Sequence, residues 1–569
     1  MTLDVEAARR QDLSPRYRRE DVDQLLAGRL QMRPHPAWDL PAEPTWHEDP
    51  FNDRNWTFQY HMLRWLEPLW RAAGDGDQAA LEMWLTWVKN WAEANPVGAS
   101  PTEWGWRDMS DGLRARQLCL AVPAIAEHAP QELPWLEGLI ATHAAWLADP
   151  ENLGSANHAL HQHDALFLTG VVLDDERYRS IAAERMSTLL EAEYDEEGVN
   201  AEGAIAYHVN NYSWWQSALR RFDRAGLPRP SGAERHLSAP EEIAHATRPD
   251  GTLVTIGDTD IQAARRTGDA PTDYVASAGA KGEPPADLMR AYRAGYVFGR
   301  SGWGSEERPF ADHTFYSARF GPARRVHGHA DGTSLTFSAD GQNWLVDPGK
   351  FQYNSNAARD HFIARASHSL VLIDGEEPSQ DAVVSLVRAT TSASHDELVI
   401  ADPSYEGVKL ERRVVFSRLS ESLVVVDRVV AEQEVTAVQR WQMGHTVTAE
   451  AADGGSVHLR SADRTACLLW SSGAHPQITL AQEDPFDGWV SVGWRQKEPA
   501  PAVTERRTGR DITFITAVVR GGSPAELTVV EEPSGMGEAG DAAVLQLRTP
   551  YGTERISLLS GAAQVELTS

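Results

Sequence analysis

His327-Gly-His329-Ala-Asp331 is the most informative run of chemically capable side chains in this 569-residue sequence, and Asp347 and His368 follow within forty residues of it. Histidine and aspartate are ligand types that Zn²⁺ accepts. Histidine is also the commonest acid or base near neutral pH. Two histidines at i and i+2 project to one side of an extended segment, so the run reads as a metal site, a catalytic site, or both side by side. Asp340-Gly341 signals a two-residue hairpin turn, and ladder arithmetic from that turn pairs Asp347 with about residue 334, not 329. A site joining His329, Asp347 and His368 therefore requires a bend, or pairing with another strand. Spacing alone does not establish zinc.

Two further segments carry chemistry. Asn157-His158-Ala-Leu-His161-Gln-His163-Asp164 opens a predicted helix with His158 and His161 on one face. The plain alternative is a polar helix start with a capping Asn. Glu202-Gly-Ala-Ile-Ala-Tyr207-His208-Val-Asn210-Asn211-Tyr212 opens another helix, on which Tyr207, Asn211 and Trp214 share a face. An amphipathic core tyrosine is the bland reading there. Arg114/Arg116 and Arg324/Arg325 ordinarily mark solvated faces; in an acidic chain they are candidates for gripping a carboxylate or sulfate. Trp104-Gly-Trp106 suits either sugar stacking or core packing.

The elements that must hold these groups differ between the two halves. Fourteen of twenty tryptophans precede residue 290, within segments of helical period at about 56–71, 84–91, 113–127, 133–148, 157–171, 176–192 and 204–223. Trp84, Trp87, Val88 and Trp91 follow the i, i+3, i+4, i+7 rule of one helix face. Such helices with short links predict stacked hairpins. From about 295 onward, short Val/Leu/Ile-rich runs between Gly, Asp and Pro predict antiparallel sheets in a large sandwich. The Gly268–Pro285 stretch reads as a loop near the boundary. The predicted architecture is a multidomain α+β protein, with an (α/α) toroid of helical hairpins over 1–290 and a β-sandwich over 291–569.

Composition narrows the function classes. Net charge is −29, which disfavours nucleic acid and anionic membranes as partners. No apolar run approaches the roughly 20 residues of a membrane span. The first residues lack a secretory pattern, so a cytoplasmic location is expected, with the cell envelope or secretion as the alternative for a trimmed start. Cys119 and Cys467 lie in opposite halves within apolar stretches and read as buried free thiols.

Taken in order, these segments resemble the heparinase II/III-like polysaccharide lyases, a superfamily that includes heparin, heparan and oligoalginate lyases. The match rests on Asn157-His158, Glu202-Gly203…Tyr207-His208, Pro249-Asp-Gly251…Ile256-Gly-Asp258 and Gly295-Tyr-Val-Phe-Gly-Arg300. It continues through His327-Gly-His329-Ala-Asp331, Val346-Asp-Pro-Gly349 and Ser367-His368…Ile373-Asp-Gly375. The resemblance implies a toroid followed by a sandwich, with β-elimination at a uronic acid between the two domains. It assigns Tyr207 as the catalytic tyrosine and Asn157 as the neutraliser of the substrate carboxylate. His158 and His327 become active-site histidines, and His329, Asp347 and His368 the ligands of a structural Zn²⁺. Arg116, His161, His208, Asn211 and Tyr353 are the expected substrate contacts, Tyr353 being the one candidate for the second tyrosine that some members use as acid. Ser369-Leu370 stands where Asn-Thr is usual. The expected partner is an anionic uronate-containing saccharide, and a homodimer is the oligomer allowed for.

Removing a C5 proton beside a carboxylate demands stabilisation of the dianion that forms. Donors such as Asn157 and His327 would act as an oxyanion hole does, while Tyr207, its pKa lowered by cationic neighbours, would take the proton. Tyr207 or His158 would then protonate the departing O4. Rival readings are a glycoside hydrolase using carboxylates such as Asp108/Asp111, Glu202 and Asp258, a non-catalytic uronate-binding protein, and a zinc hydrolase built on His327/His329.

Overall fold

The structure is a computed structural model, and it describes residues 3–14, 16–322, 325–471, 473–522, 525–531, 543–559 and 562–568. Two compact units divide it: Met1–Tyr194 with Asn211–Leu237, and Asp195–Asn210 with Ser238–Ser569. The division is thus not a single cut near 290. It passes within the Ile205–Ala225 helix, and residues 238–290 group with the strands that follow them.

In the first unit the helices Glu67–Gly74, Gln78–Ala94, Met109–His128, Leu133–Ala148, Ala156–Val172 and Glu176–Glu193 pack on sequence neighbours, and Met109–His128 packs also on Glu67–Gly74 and Ala156–Val172. Each buries its periodic apolar face: Trp84, Val88 and Trp91 meet Leu118, Ile125, Ile140 and Leu168 in one core. The predicted 56–71 helix is two helices, Arg54–His61 and Glu67–Gly74, because Leu63 adopts φ 55° between them and Pro68 suits only a first turn. Gly112 permits a close helix approach. A Cβ there would lie 2.7 Å from the His161 carbonyl, so a side chain would push apart the Met109–His128 and Ala156–Val172 helices. No described helix is long and apolar enough to cross a membrane.

The second unit is built on an eleven-stranded antiparallel sheet, with Val408–Ser417, Ser422–Gln442 and Ala502–Arg520 paired at its centre. Alternate side chains face opposite ways along a strand. Val414, Phe416, Leu423, Val425 and Val518 accordingly pack on the five-stranded sheet that includes Tyr296–Arg300, Phe315–Arg319 and Leu335–Ala339. Val415, Val424, Ala517 and Val519 pack on the four-stranded sheet of Glu526–Glu531, Ala543–Thr549, Gly552–Leu558 and Ala563–Thr568. The sandwich is therefore three sheets deep, and its middle sheet is apolar on both faces. Cys119 and Cys467 are buried free thiols. Within the 268–285 stretch the chain forms a short helix, Ala270–Ala276, with Pro271 in its first turn.

The Asp340-Gly341 hairpin forms between Leu335–Ala339 and Gln342–Leu345, with φ of 55° and 73° at its two turn residues, as a type I′ turn requires. Its ladder does not reach Asp347. A bulge after the Ser338–Asn343 pair inserts Trp344 as an extra residue. Val346 N–H then bonds the Gln442 carbonyl at 3.0 Å, and the chain leaves the sheet carrying Asp347 toward His329.

Candidate active site

In the second unit the loop before Ile205–Ala225 lies against the His327 turn. Gly203 N–H donates to the Val326 carbonyl at 2.7 Å, and a Cβ on Gly203 would meet Gly328 Cα at 2.6 Å. This contact brings Tyr207, in the first helical turn, flat against His327, with ring centroids 3.7 Å apart and planes 10° from parallel. His327 sits in a turn at φ 59°, not on an extended segment. The i, i+2 argument for the histidine pair therefore does not hold, and the two rings serve different neighbours because of this turn.

Asp258 takes one histidine on each carboxylate oxygen. His327 Nδ1 lies 3.1 Å from Oδ2, and His329 Nε2 lies 3.3 Å from Oδ1. Arg359 grips the same carboxylate with both Nη groups. Burial would push the Asp258 carboxyl up, but hydrogen bonds from His327, His329 and Arg359 outweigh it and hold the group well below the usual carboxylate range. Glu202 Oε2 stands 3.7 Å from His327 Nε2. Tyr207 Oη is 2.7 Å from Tyr353 Oη, and Lys350 Nζ follows at 3.5 Å from Tyr353 Oη and 3.1 Å from Asp260. The Tyr207 phenol is raised, first by burial, then by Tyr353, Glu202 and Asp258. The shift runs opposite to the lowering expected from cationic neighbours, because burial dominates and the carboxylates of Glu202 and Asp258 add to it.

His329, Asp347 and His368 converge from three segments, with candidate ligand atoms within 4.8 Å of one another and all three residues buried. His329 Nδ1 and His368 Nε2 are buried and face the Asp347 oxygens at 3.7 and 3.2 Å without a well-aligned hydrogen bond, an arrangement in which a cation could take all three donors. The opposite nitrogens are anchored, His329 Nε2 by Asp258 and His368 Nδ1 by the Ala364 carbonyl at 2.9 Å. This is the outer shell that orients metal-bound histidines. The donors fit a metal ion such as zinc.

In the first unit, the Ala156–Val172 helix presents Asn157, which is buried, and His158, which is exposed enough to reach a ligand. His158 Nδ1 is hydrogen-bonded to Asp108, the residue before the Met109–His128 helix, held at φ 62°. Gln162 ties these helices together, donating to the Asp108 carbonyl at 3.2 Å and accepting from Gly154 N–H at 2.7 Å.

The remaining expected contacts are less open. His161 is buried beside Trp214, ring centroids 4.9 Å apart, and burial pushes its imidazole well below the ordinary value. Arg116 points to Asp164 at 3.4 Å, a carboxylate that Arg221 also holds at 2.8 Å. Asn211 is fully buried. His208 turns inward, between Glu242 at 3.1 Å and the Glu202 carbonyl at 2.8 Å, and supports the loop instead of facing solvent. Tyr353 is exposed at 41%. Trp104 and Trp106 are core residues, and Arg324 lies outside the described residues. Sequence reasoning missed Asp258 as a bridge, Arg359 as its clamp and Asp108 as the His158 partner. Only Asp258 carried a signal, in the Ile256-Gly-Asp258 motif.

Residues 11–232 match the family described as Heparinase II/III N-terminus, and residues 283–523 match Heparinase II/III-like, C-terminal. A curated heparin-sulfate lyase from Bacteroides thetaiotaomicron is 22% identical over 421 residues, covering 66% of this chain. The chain spans about 60% of that protein's length in the match. Among solved structures, a heparinase III aligns with TM-score 0.83 at 17% identity, over 98% of this chain and 94% of that one. A heparan sulfate lyase from Pedobacter heparinus aligns with TM-score 0.72 at 19% identity, over 100% and 92%. These likenesses are of fold.

Proposed function

The chain belongs to the heparinase II/III-like family, and from that premise we propose that it is a polysaccharide lyase cleaving 4-linked uronosides of an anionic saccharide by β-elimination. The observation that carries this reading is Tyr207 stacked on His327 and hydrogen-bonded to Tyr353. In the resting protein the phenol holds its proton. Tyr353, exposed and backed by Lys350, is its outlet, and the phenolate so formed is a strong base. It takes the C5 proton while His327 Nε2 donates to the substrate carboxylate. The C5–H electrons become the C4=C5 double bond as the C4–O4 bond breaks, and the Tyr207 phenol returns the proton to O4. Asn157 and His158 keep the roles that the resemblance assigns them, Asn157 on the carboxylate and His158 as an alternative acid.

Zinc is the proposed ion for His329, Asp347 and His368. Bound there it would cross-link three segments and take no part in the proton transfers. The names of the relatives make heparan-type glycosaminoglycans the first substrates to test, with alginate oligosaccharides next. The test is ultraviolet absorbance: elimination leaves a double bond conjugated to the carboxylate, whereas hydrolysis leaves none. Saccharide cleavage without absorbing product would assign a hydrolase instead.

A further inference from the structure

Arg248 is 3% exposed and lines a cavity of about 180 Å³ with Asp250, Ile261, Asn343, Asp347 and His445 among the walls. Its Nε donates to Thr252 Oγ1 at 3.0 Å, but neither Nη group meets an acceptor among the described residues. The nearest carboxylate, Asp250, stands 4.0 Å from Nε. Its own oxygens are committed, Oδ1 to Thr252 N–H at 2.9 Å and Oδ2 to Asn343 Nδ2 at 2.9 Å. The fork opens into the cavity and matches the paired oxygens of a carboxylate or sulfate. The cavity is several times the ~30 Å³ share of one water. Asp347 also lines it, but that carboxylate faces His329 and His368, and a cation held there would spend its charge.

We propose that this cavity is an oxyanion-binding site, distinct from the Tyr207–His327 pair, in which Arg248 grips one carboxylate or sulfate group through both Nη atoms. The proposal stands apart from the lyase reading, because its test reads binding and not turnover. Titration calorimetry of the whole protein at fixed ionic strength with inorganic sulfate, glucuronate and neutral glucose separates the sources. Saturable heat is expected for sulfate or glucuronate but not glucose, and the tighter anion names the group. Arg248→Lys, which keeps the charge but loses the fork, should weaken that binding at least tenfold. Should this variant not fold, Ile261→Trp, which fills the cavity from its 41%-exposed wall, should produce the same loss. Anion binding that survives both substitutions, or no saturable heat from either anion, overturns the assignment.

Discussion

Tyr207 lies flat against His327, ring centroids 3.7 Å apart. Two parallel rings at that separation can serve neighbouring positions on one sugar, namely the C5 proton and the carboxylate carried by the same carbon. In the proposed elimination the Tyr207 hydroxyl would meet the first and His327 the second. Neither ring can turn freely, because Tyr353 fixes one and Asp258 the other.

Tyr207→Phe removes one oxygen from this arrangement and leaves the stack intact. Positioned acid–base groups contribute on the order of 100–10,000-fold in rate, so turnover measured by ultraviolet absorbance should fall by at least ~100-fold. Substrate binding and circular dichroism should be unchanged. A rate near that of the parent protein would remove Tyr207 from the chemistry.

The pH dependence has a fixed sign. Burial, Tyr353, Glu202 and Asp258 all hold the Tyr207 phenol up, so the fraction able to act as base grows as pH rises. The rate should therefore climb through the alkaline range. Glu202→Gln removes one of the negative neighbours and lowers the phenol, moving the rising limb to lower pH. A limb that stays put, or moves to higher pH, would mean that another group sets it.

Chelation tests the buried His329, Asp347 and His368 cluster. One zinc per chain is expected by elemental analysis, and its removal should lower Tm by several degrees, since an ion bound only to the folded state adds its binding energy to stability. His368→Ala should show the lowered Tm before chelation and little change after it. An unchanged Tm in chelated parent protein would rule out a structural ion.

How much of this was legible in the sequence depends on how local each cause is. Helical periodicity placed Trp84, Val88 and Trp91 on one buried face, and Asp340-Gly341 announced its own turn, because both signals lie within a few residues. Ladder arithmetic also stated what a three-ligand site would need. The answer lay in a bulge at Trp344 and a partner at Gln442, about a hundred residues apart and beyond any local rule. Asp258 was visible only as part of a motif, since its function comes from His327, His329 and Arg359 meeting in space. Tyr207 was misread electrostatically for the same reason. Burial, which no local rule reads, dominates the shift, and Glu202 and Asp258 add to it.

Asp108 and His158 give an acid-side prediction. Burial pushes the Asp108 carboxyl up, but the His158 hydrogen bond and charge outweigh it and lower the pKa. A depressed folded-state pKa contributes stability that is present above the ordinary carboxylate value, ~3.9, and is lost as pH falls below it. Asp108→Asn should therefore lower Tm by on the order of a few degrees at pH 7 and by progressively less toward pH 3. An equal deficit at both pH values would mean that the charge of Asp108, and with it the His158 contact, adds nothing to stability.

Asp258→Asn tests whether one carboxylate serves both centres. The amide keeps the shape but can accept on only one atom, so either His327 or His329 loses its acceptor, and Arg359 is left facing an N–H group. Outer-shell changes of this kind cost roughly 10–100-fold in metal affinity or activity, and here both should fall together: zinc retention during dialysis and kcat, with KM less affected. Asp258→Glu, which keeps both oxygens on a longer stem, should recover part of each. Loss of kcat with full zinc occupancy would confine Asp258 to the His327 side, and loss of zinc with unchanged kcat would confine it to the His329 side. Either result would uncouple two histidines that the geometry ties to a single group.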